Sequence, residues 1–220
     1  GANLNLRTSS NPNDRLLGTV LKGPNTYLGN TEITRGTLFM GATNTLPAAS
    51  VLNIHWSNAN NYEYAALDLN GFDQTVGGLM NTGDSAGNAV VTNSSAVLAT
   101  LTINQALTMD FGGVLAGKLA LVKSGTGTLS LTNRSFYTGT TTVSGGTLKF
   151  GVNNVLPSSN AVVLAGGRLD IGSSTNTLAS VALTGNSTLA LGTGKLTIAN
   201  QGTGAWSGLL SLTGMLEPNA

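Results

Sequence analysis

The chain has 220 residues with a formal net charge of +1, and only 9% of its residues are charged. This composition offers no basic stripe for a nucleic-acid backbone, so we expect no nucleic-acid partner. The chain contains no cysteine, which excludes disulfide frameworks and thiolate metal sites. Aromatic residues make up 5% and glycine contributes 30 residues, so a narrow core of stacked thin layers is favoured over one wide core.

The N-terminal segment, residues 1–15, is polar and contains Leu4 and Leu6 in strand-like alternation. We interpret it as a cap on its own fold or as a strand donated to a neighbouring copy, with Leu4 and Leu6 as candidate self-association residues. The segment lacks the basic-then-apolar order of a signal peptide, and no run of about 18 apolar residues occurs in the chain. We therefore expect neither an export signal nor a transmembrane segment here.

Two long units follow, within a single continuous domain over residues 16–220. Three residues of the first unit match residues of the second at an offset of 110, namely Tyr27 with Tyr137, Gly29 with Gly139 and Gly36 with Gly146. The offset falls to 102 where Asp68 meets Asp170 and Gln74 meets Asn176. The units span about residues 19–110 and 129–212, and the first is about eight residues longer.

We place the extra residues of the first unit in a loop insertion at 56–64. This loop contains Trp56, Tyr62 and Tyr64, and it follows the single histidine, His55. Exposed aromatic residues in an insertion are typical of a binding loop on a repetitive scaffold. The alternative, which we favour, is a hydrophobic flap packed on the body, because aromatic side chains in loops usually find local cover.

The most regular stretch, residues 125–151, predicts three short strands at 128–131, 140–143 and 147–150. A period near 20 residues then spaces a row of leucines through the second unit. These leucines are Leu129, Leu148, Leu169, Leu189 and Leu210. Strand-like pieces with glycine and asparagine corners at this period predict an all-β solenoid of about ten rungs of roughly 20 residues, with parallel strands.

The acidic residues are spread along the strands. Asp68, Asp110 and Asp170 each lie between apolar neighbours, so we expect their side chains to point outward. If Leu148 stacks on Leu169, Lys149 lies one rung from Asp170 and forms an outward ion pair with it. A polysaccharide lyase or hydrolase would need clustered carboxylates and cations, which this spacing does not give, so we expect no enzyme, no metal and no cofactor.

With these residues in view, the chain resembles the autotransporter-associated β-strand repeat, the passenger-type repeat of bacterial secreted and surface β-helical proteins. The resemblance rests on four pieces of the regular stretch, residues 123–131, 137–139, 141–143 and 145–148, and on a degenerate copy at residues 26–38. It implies a right-handed parallel β-helix that serves as scaffold, without shared catalytic residues. It also implies an extracellular or cell-surface location.

The repeat residues have structural explanations. Tyr27 and Tyr137 precede glycine-containing turns, where we expect each ring to cover a corner while its hydroxyl stays in water. Asn44 and Asn154 each precede a Leu-Pro pair, which predicts a turn between strands at both places.

The sequence thus predicts a non-enzymatic extracellular structural solenoid, either a surface rod or a self-associating fibre subunit. Its main partner would be another copy, joined head to tail or laterally, since a nearly neutral surface offers little charge repulsion. The alternative is an adhesin passenger that binds glycan or a host surface through the 56–64 loop. A lyase or hydrolase is the third interpretation, tested at Asp170 and Lys149.

Overall fold

The computed structural model describes residues 2–7, 18–55, 65–82, 88–200 and 206–214, and these residues contain 22 β-strands. In chain order the strands are β1 Leu4–Arg7, β2 Thr19–Leu21, β3 Thr31–Met40, β4 Val51–Ile54, β5 Ala65–Asp68, β6 Gln74–Val76, β7 Gly78–Met80, β8 Ala89–Asn93, β9 Ala99–Asn104, β10 Met109–Phe111, β11 Val114–Gly117, β12 Leu119–Ser124, β13 Thr128–Leu131, β14 Phe136–Tyr137, β15 Thr141–Val143, β16 Thr147–Phe150, β17 Ala161–Ala165, β18 Arg168–Asp170, β19 Thr175–Gly185, β20 Ser187–Ala190, β21 Lys195–Asn200 and β22 Leu210–Thr213. None of the described residues forms a helix long and apolar enough to cross a membrane.

The strands form three parallel sheets that run along the molecule. The first sheet has the order β14-β11-β8-β5-β3-β4-β7, with β1 and β2 also paired to β3. The second has the order β10-β13-β16-β18-β20-β22, and the third has the order β21-β19-β17-β15-β12-β9-β6. Consecutive strands such as β12, β13 and β14 fall in different sheets, so the chain winds around a common axis. This arrangement confirms the predicted parallel β-solenoid.

The coil has about nine turns, one fewer than predicted. In its regular part, residues paired on neighbouring turns are 19 to 21 apart, as for Thr141 with Val162 and Val162 with Val181. The first unit departs from this period twice. The spacing rises from 21 for Thr31 with Leu52 to 29 for Gly36 with Ala65, so eight further residues lie between Ile54 and Ala65.

The second departure was not predicted. Ala65 pairs with Ala89 at a spacing of 24, and Gln74 pairs with Leu101 at 27. These longer turns use residues that would otherwise contribute to another rung, which explains why the chain completes about nine turns.

The core is a narrow column of inward-facing apolar side chains. Strand β12 shows the local cause, since its residues alternate between buried and half-buried positions, as expected for one face of a strand turned inward. The predicted leucine row is confirmed from Leu129 through Leu189, because these residues are register partners on successive turns of the second sheet. The last step is wrong, since Leu189 pairs with Leu212 and Leu210 pairs with Ser187. The final turn is therefore two residues longer than the predicted period allows.

The N-terminal strand β1 lies beside β3 of the same chain, with Leu4 opposite Thr31 and Leu6 opposite Ile33. Leu4 is half-buried in this position. Donation of this strand to a second copy stays a prediction.

Candidate functional site

The loop residues proposed for binding, Trp56, Tyr62 and Tyr64, lie outside the described residues. The chain enters this loop after His55, whose backbone N–H donates to the Ile33 carbonyl at 3.0 Å. It leaves the loop at Ala65, which is fully buried. A binding role for the loop stays a prediction.

Tyr137 is a buried hydrogen-bonding hub of the second unit. Its side chain is 1% exposed, and its hydroxyl lies 2.5 Å from Thr141 Oγ1. Thr141 donates to Asn160 Oδ1 at 2.7 Å, and Asn160 Nδ2 donates to the Gly139 carbonyl at 2.8 Å. The expectation that this hydroxyl stays in water is therefore wrong. A buried threonine and asparagine replace water as its partners, and burial raises the pKa of Tyr137 above its ordinary value.

The first unit contains the same hub in a half-buried form. Tyr27 OH lies 2.6 Å from Thr31 Oγ1, which lies 2.9 Å from Ser50 Oγ. Each of the three residues precedes its counterpart Tyr137, Thr141 or Asn160 by 110 positions. Because serine can replace asparagine and still bond to the threonine, the hub survives a change of residue type.

A second buried amide ties adjacent turns together in both units. In the first unit, Gln74 Oε1 accepts the backbone N–H groups of Thr45 and Leu46 at 2.9 and 3.2 Å. In the second, Asn176 Oδ1 accepts the N–H of Val155 at 3.0 Å. Both side chains are almost fully buried, and they accept hydrogen bonds from backbone N–H groups that lie outside the strands.

The repeat glycines have two distinct roles. Gly36 and Gly146 adopt positive φ angles of 77° and 55°, a backbone conformation that suits glycine. Gly29 and Gly139 instead permit close approach of turns, since a Cβ there would lie 2.3 Å from Asn3 Oδ1 and 2.4 Å from the Leu119 carbonyl oxygen, respectively. The turns predicted before the two Leu-Pro pairs are confirmed, because Asn44 and Asn154 both have a φ of 51°.

The acidic residues do not behave as the sequence suggested. Asp110 is exposed as expected, but Asp68 is 3% exposed, and its Oδ1 accepts the N–H groups of Asn70 and Ser94 at 2.8 and 3.0 Å. The expected outward direction of Asp68 is therefore wrong, because its carboxylate accepts hydrogen bonds from backbone N–H groups on two turns of the coil.

The predicted ion pair of Asp170 is also wrong in its partner. Lys149 and Asp170 are register partners, but the carboxylate pairs with Arg168 on its own strand at 3.3 Å. Across the part of the chain that the structure describes, no three His, Cys, Asp or Glu residues lie close enough to hold a metal ion.

Lys123 is an inward-facing lysine with no exposed surface. Its Nζ donates to the carbonyls of Ser124, Gly125 and Gly145 at 2.6, 3.2 and 3.3 Å. Burial lowers the pKa of Lys123 from 10.5 to about 8. The ammonium thus holds two turns of the coil together where they pass from the third to the second sheet.

A polar groove of about 250 Å³ lies on the outside of the second unit and crosses three successive turns of the coil. It begins just before β14, continues over the turn that links β16 to β17, and ends on β19. Its lining residues, which we call the second-unit groove, are Arg134, Ser135, Asn154, Leu156, Pro157, Ser158 and Thr177.

The groove has one positive charge and no acidic lining residue. Arg134 is held by Asn133, whose Oδ1 accepts the Arg134 N–H at 2.8 Å, and its Nε donates to the Asn154 carbonyl at 3.4 Å. Among the described residues Arg134 forms no ion pair, so its terminal nitrogens are available to a ligand. Neither Ser158 nor Thr177 uses its hydroxyl in a hydrogen bond within the described chain.

Ser135 is the groove residue whose buried side-chain hydroxyl has no hydrogen-bond partner in the described chain. It is 3% exposed, and its backbone N–H donates to the Val155 carbonyl at 2.8 Å. Its Oγ is one of two buried side-chain polar atoms without a hydrogen-bond partner in the described residues. An unpaired buried hydroxyl is costly, so such a group marks a site where an external partner would be favourable.

The corresponding place in the first unit is chemically different. At the offset of 110, Pro24 replaces Arg134, Asn25 replaces Ser135 and Ala48 replaces Ser158. The Asn25 amide is satisfied, since its Nδ2 donates to the carbonyls of Thr45 and Gly23, each at 3.0 Å. Sequence reasoning missed the groove, although these three differences between aligned units were a readable signal.

Comparisons with known proteins agree with this architecture. Residues 19–38 and 121–150 match the family model of the Passenger-associated-transport-repeat. The chain is 35% identical over 133 residues to the "Adhesin BmaC autotransporter" of Brucella suis biovar 1 (strain 1330). The alignment covers 59% of this chain and 4% of that relative, so the chain spans a small part of its length. No solved structure matches the chain.

The two matched segments contain the two stretches on which the resemblance was based, residues 26–38 and 123–148. The first includes β2 and most of β3 with Gly36, and the second runs from within β12 to the end of β16 with Tyr137 and Gly146. The resemblance predicted from the sequence is confirmed, and residues 19–38 and 121–150 of this chain belong to the autotransporter passenger repeat family.

Proposed function

We propose that this chain is a non-enzymatic segment of the passenger of a secreted or cell-surface protein, and that it acts as a rigid rod with adhesive faces. The observation that carries the proposal is the parallel coil of the described residues, two segments of which match a passenger repeat, together with the similarity to a protein named as an adhesin. Nine turns stacked at about 4.8 Å give a rod on the order of 40 Å long.

The chemistry of the described residues supports a non-enzymatic role. The best-conforming repeat supplies inward apolar residues, turn glycines and the Tyr137 hub, all of which serve the fold. Two of the three strand acids, Asp68 and Asp170, are engaged in backbone capping or an ion pair. The nearly neutral surface suits contact through polar side chains rather than long-range charge.

Adhesion of beads tests the proposal. Beads coated with the full chain should be retained on cultured animal cells more than beads coated with a Leu148→Asp variant, whose buried charge unfolds the coil. Equal retention of the two kinds of bead would contradict an adhesive role. Turnover in a panel of polysaccharides, lost in an Asp170→Asn variant, would contradict the non-enzymatic role.

Self-association is the second candidate function. Strands β21 and β22 lie at the edge of their sheets in the described chain, and they expose Ile198 and Leu212 at 36% and 45%. An edge strand with exposed apolar residues can accept a strand from another copy. Sedimentation should show assembly that increases with concentration, whereas a single monomeric species at all concentrations would contradict the fibre and leave the rod.

A further inference from the structure

The second-unit groove has features of a built binding site for one small polar ligand. Its volume of about 250 Å³ is below that of pockets that enclose drug-sized molecules, so it suits a single sugar ring or the end of a chain of them. Its polar groups come from three turns of the coil and therefore sit on a rigid support. A ligand in it would contact Arg134, Ser135 and Thr177 together.

The charge of the groove selects among polar ligands. The Arg134 guanidinium has no ion-pair partner in the described chain, and no carboxylate lines the groove. A guanidinium presents a planar fork of N–H donors that matches a carboxylate with two parallel hydrogen bonds. A single cation beside several hydroxyl and amide groups suits a ligand that carries one carboxylate and many hydroxyls.

The unpaired Ser135 Oγ also favours a ligand that carries hydroxyl groups. This hydroxyl can both donate and accept, and it would reach a sugar hydroxyl by rotation about the Cα–Cβ bond of Ser135, which lines the groove. Next to it in the chain, Phe136 is 62% exposed and offers an aromatic face on the outside of the coil. At the equivalent positions the first unit has Asn25, with its amide satisfied, and Thr26.

We propose that the second-unit groove binds a carboxylate-bearing saccharide unit, with Arg134 on the carboxylate and Ser135 on a ring hydroxyl. The proposal deepens the adhesive function proposed above and rests on it, because it names the chemistry that the rod would recognise. The first unit does not bind this ligand, since Pro24, Asn25 and Ala48 replace the cation and the two serine hydroxyls.

The test is an NMR titration of the full chain with galacturonate and, separately, with galactose, which replaces the carboxylate by a hydroxymethyl group. We expect saturable binding of galacturonate that is about tenfold or more tighter than binding of galactose, as one charge-assisted pair would give. Equal affinity for the two sugars, or no saturable binding of galacturonate, would overturn the proposal.

Variants separate the groove from general charge effects. Arg134→Gln should lower galacturonate affinity about tenfold or more and should abolish the preference over galactose. Lys149→Gln removes one exposed positive charge elsewhere on the second unit and should leave the affinity unchanged. Equal losses in the two variants would show that net charge, rather than the groove, attracts the sugar, and would overturn the proposal.

Ser135→Asn introduces the residue that the first unit uses at this place, so it provides a variant that is compatible with the coil. It should abolish galacturonate binding, because the larger amide fills the groove and can donate to the Val155 carbonyl, as Asn25 does to Thr45. Unchanged binding would overturn the role of Ser135. Bead adhesion without galacturonate binding would defeat this inference alone, and galacturonate binding without adhesion would defeat the proposed function alone.

Discussion

The two long units share their internal hydrogen bonds and differ on their outer surface. The hub of Tyr27, Thr31 and Ser50 has the same arrangement as the hub of Tyr137, Thr141 and Asn160. At the groove, by contrast, the first unit places Pro24 and Asn25 where the second has Arg134 and Ser135. Stacked turns therefore constrain the residues at buried polar positions, whereas residues at outer positions are free to change.

Buried polar positions are constrained because a buried polar group without a hydrogen-bond partner lowers the free energy of unfolding. A hydroxyl or amide inside the coil must find a partner on its own or a neighbouring turn, so it can change only to a residue that keeps the bond. Exposed side chains bond to water and carry no such requirement. Among the described residues, Ser135 Oγ and Gln105 Oε1 depart from this rule, since both atoms are buried and have no hydrogen-bond partner.

The largest expected effect concerns the hub tyrosines. Tyr137→Ala should lower the free energy of unfolding by about 3–5 kcal/mol, because it leaves a cavity in the core. Tyr27→Ala should cost less, since its ring is half-buried. Denaturant unfolding of both variants measures the difference, with Tyr137→Phe as a control that should lose only about 1 kcal/mol. Equal losses for the two alanine variants would contradict the difference in burial.

The next largest effect concerns two glycines with nearly equal φ angles, 55° at Gly146 and 56° at Gly172. A Cβ at Gly146 would lie 2.3 Å from the Gly127 carbonyl oxygen, whereas at Gly172 the nearest atom is 3.8 Å away. The first unit already has Asn70, with a φ of 49°, at the position equivalent to Gly172.

Gly146→Asn should therefore cost about 3 kcal/mol or more, and Gly172→Asn should cost about 1 kcal/mol or less. Thermal unfolding followed by circular dichroism measures both. If Gly172→Asn were as unstable as Gly146→Asn, the φ angle alone would determine the loss of stability. That result would contradict the role of the close contact between Gly146 and the neighbouring turn.

The pH dependence of stability tests the buried ionisable groups of the second unit. The folded-state pKa of Lys123 is about 8, below its ordinary value of 10.5. Between these values the unfolded chain binds more protons, so the free energy of unfolding should rise by about 2 kcal/mol from pH 8 to pH 10. Above pH 10 it should fall, because the raised pKa of buried Tyr137 makes the unfolded chain lose its proton first.

Urea unfolding at several pH values gives the curve. Lys123→Met should remove the rise below pH 10, and Tyr137→Phe should reduce the fall above it. A rise of the same size in the Lys123→Met variant would assign it to other groups.

The smallest expected effect on stability is that of Ser135→Asn. The change imports a residue that the first unit holds at the same place, so the free energy of unfolding should change by less than about 0.5 kcal/mol. The same denaturant experiment measures it. A loss of several kcal/mol would contradict the structural equivalence of residues 25 and 135.

Much of the fold was predictable because strands and turns repeat. The strands at 128–131 and 147–150 were predicted with the bounds of β13 and β16, since alternation and glycine corners are local signals. The shift from Leu210 to Leu212 was not predictable, because the length of a turn depends on contacts between distant parts of the chain.

The buried polar groups were harder to predict than the strands. The sequence places Asp68 between apolar residues in a strand. Its carboxylate is held by the backbone N–H of Ser94, which lies on the neighbouring turn and is distant in sequence. The groove was missed for a related reason, since Ser135, Asn154 and Thr177 are far apart in sequence and meet only when three turns stack. The binding loop at 56–64 lies outside the described residues and stays a prediction.

The most direct test of the difference between the units is a map of backbone amide shifts during galacturonate titration of the full chain. We predict saturable shifts at residues 133–136, 153–158 and 175–177, with none at residues 23–26 and 44–48 of the first unit. Equal shifts in both units, or shifts confined to residues outside the second-unit groove, would contradict the conclusion that the surface differences between the units create the site.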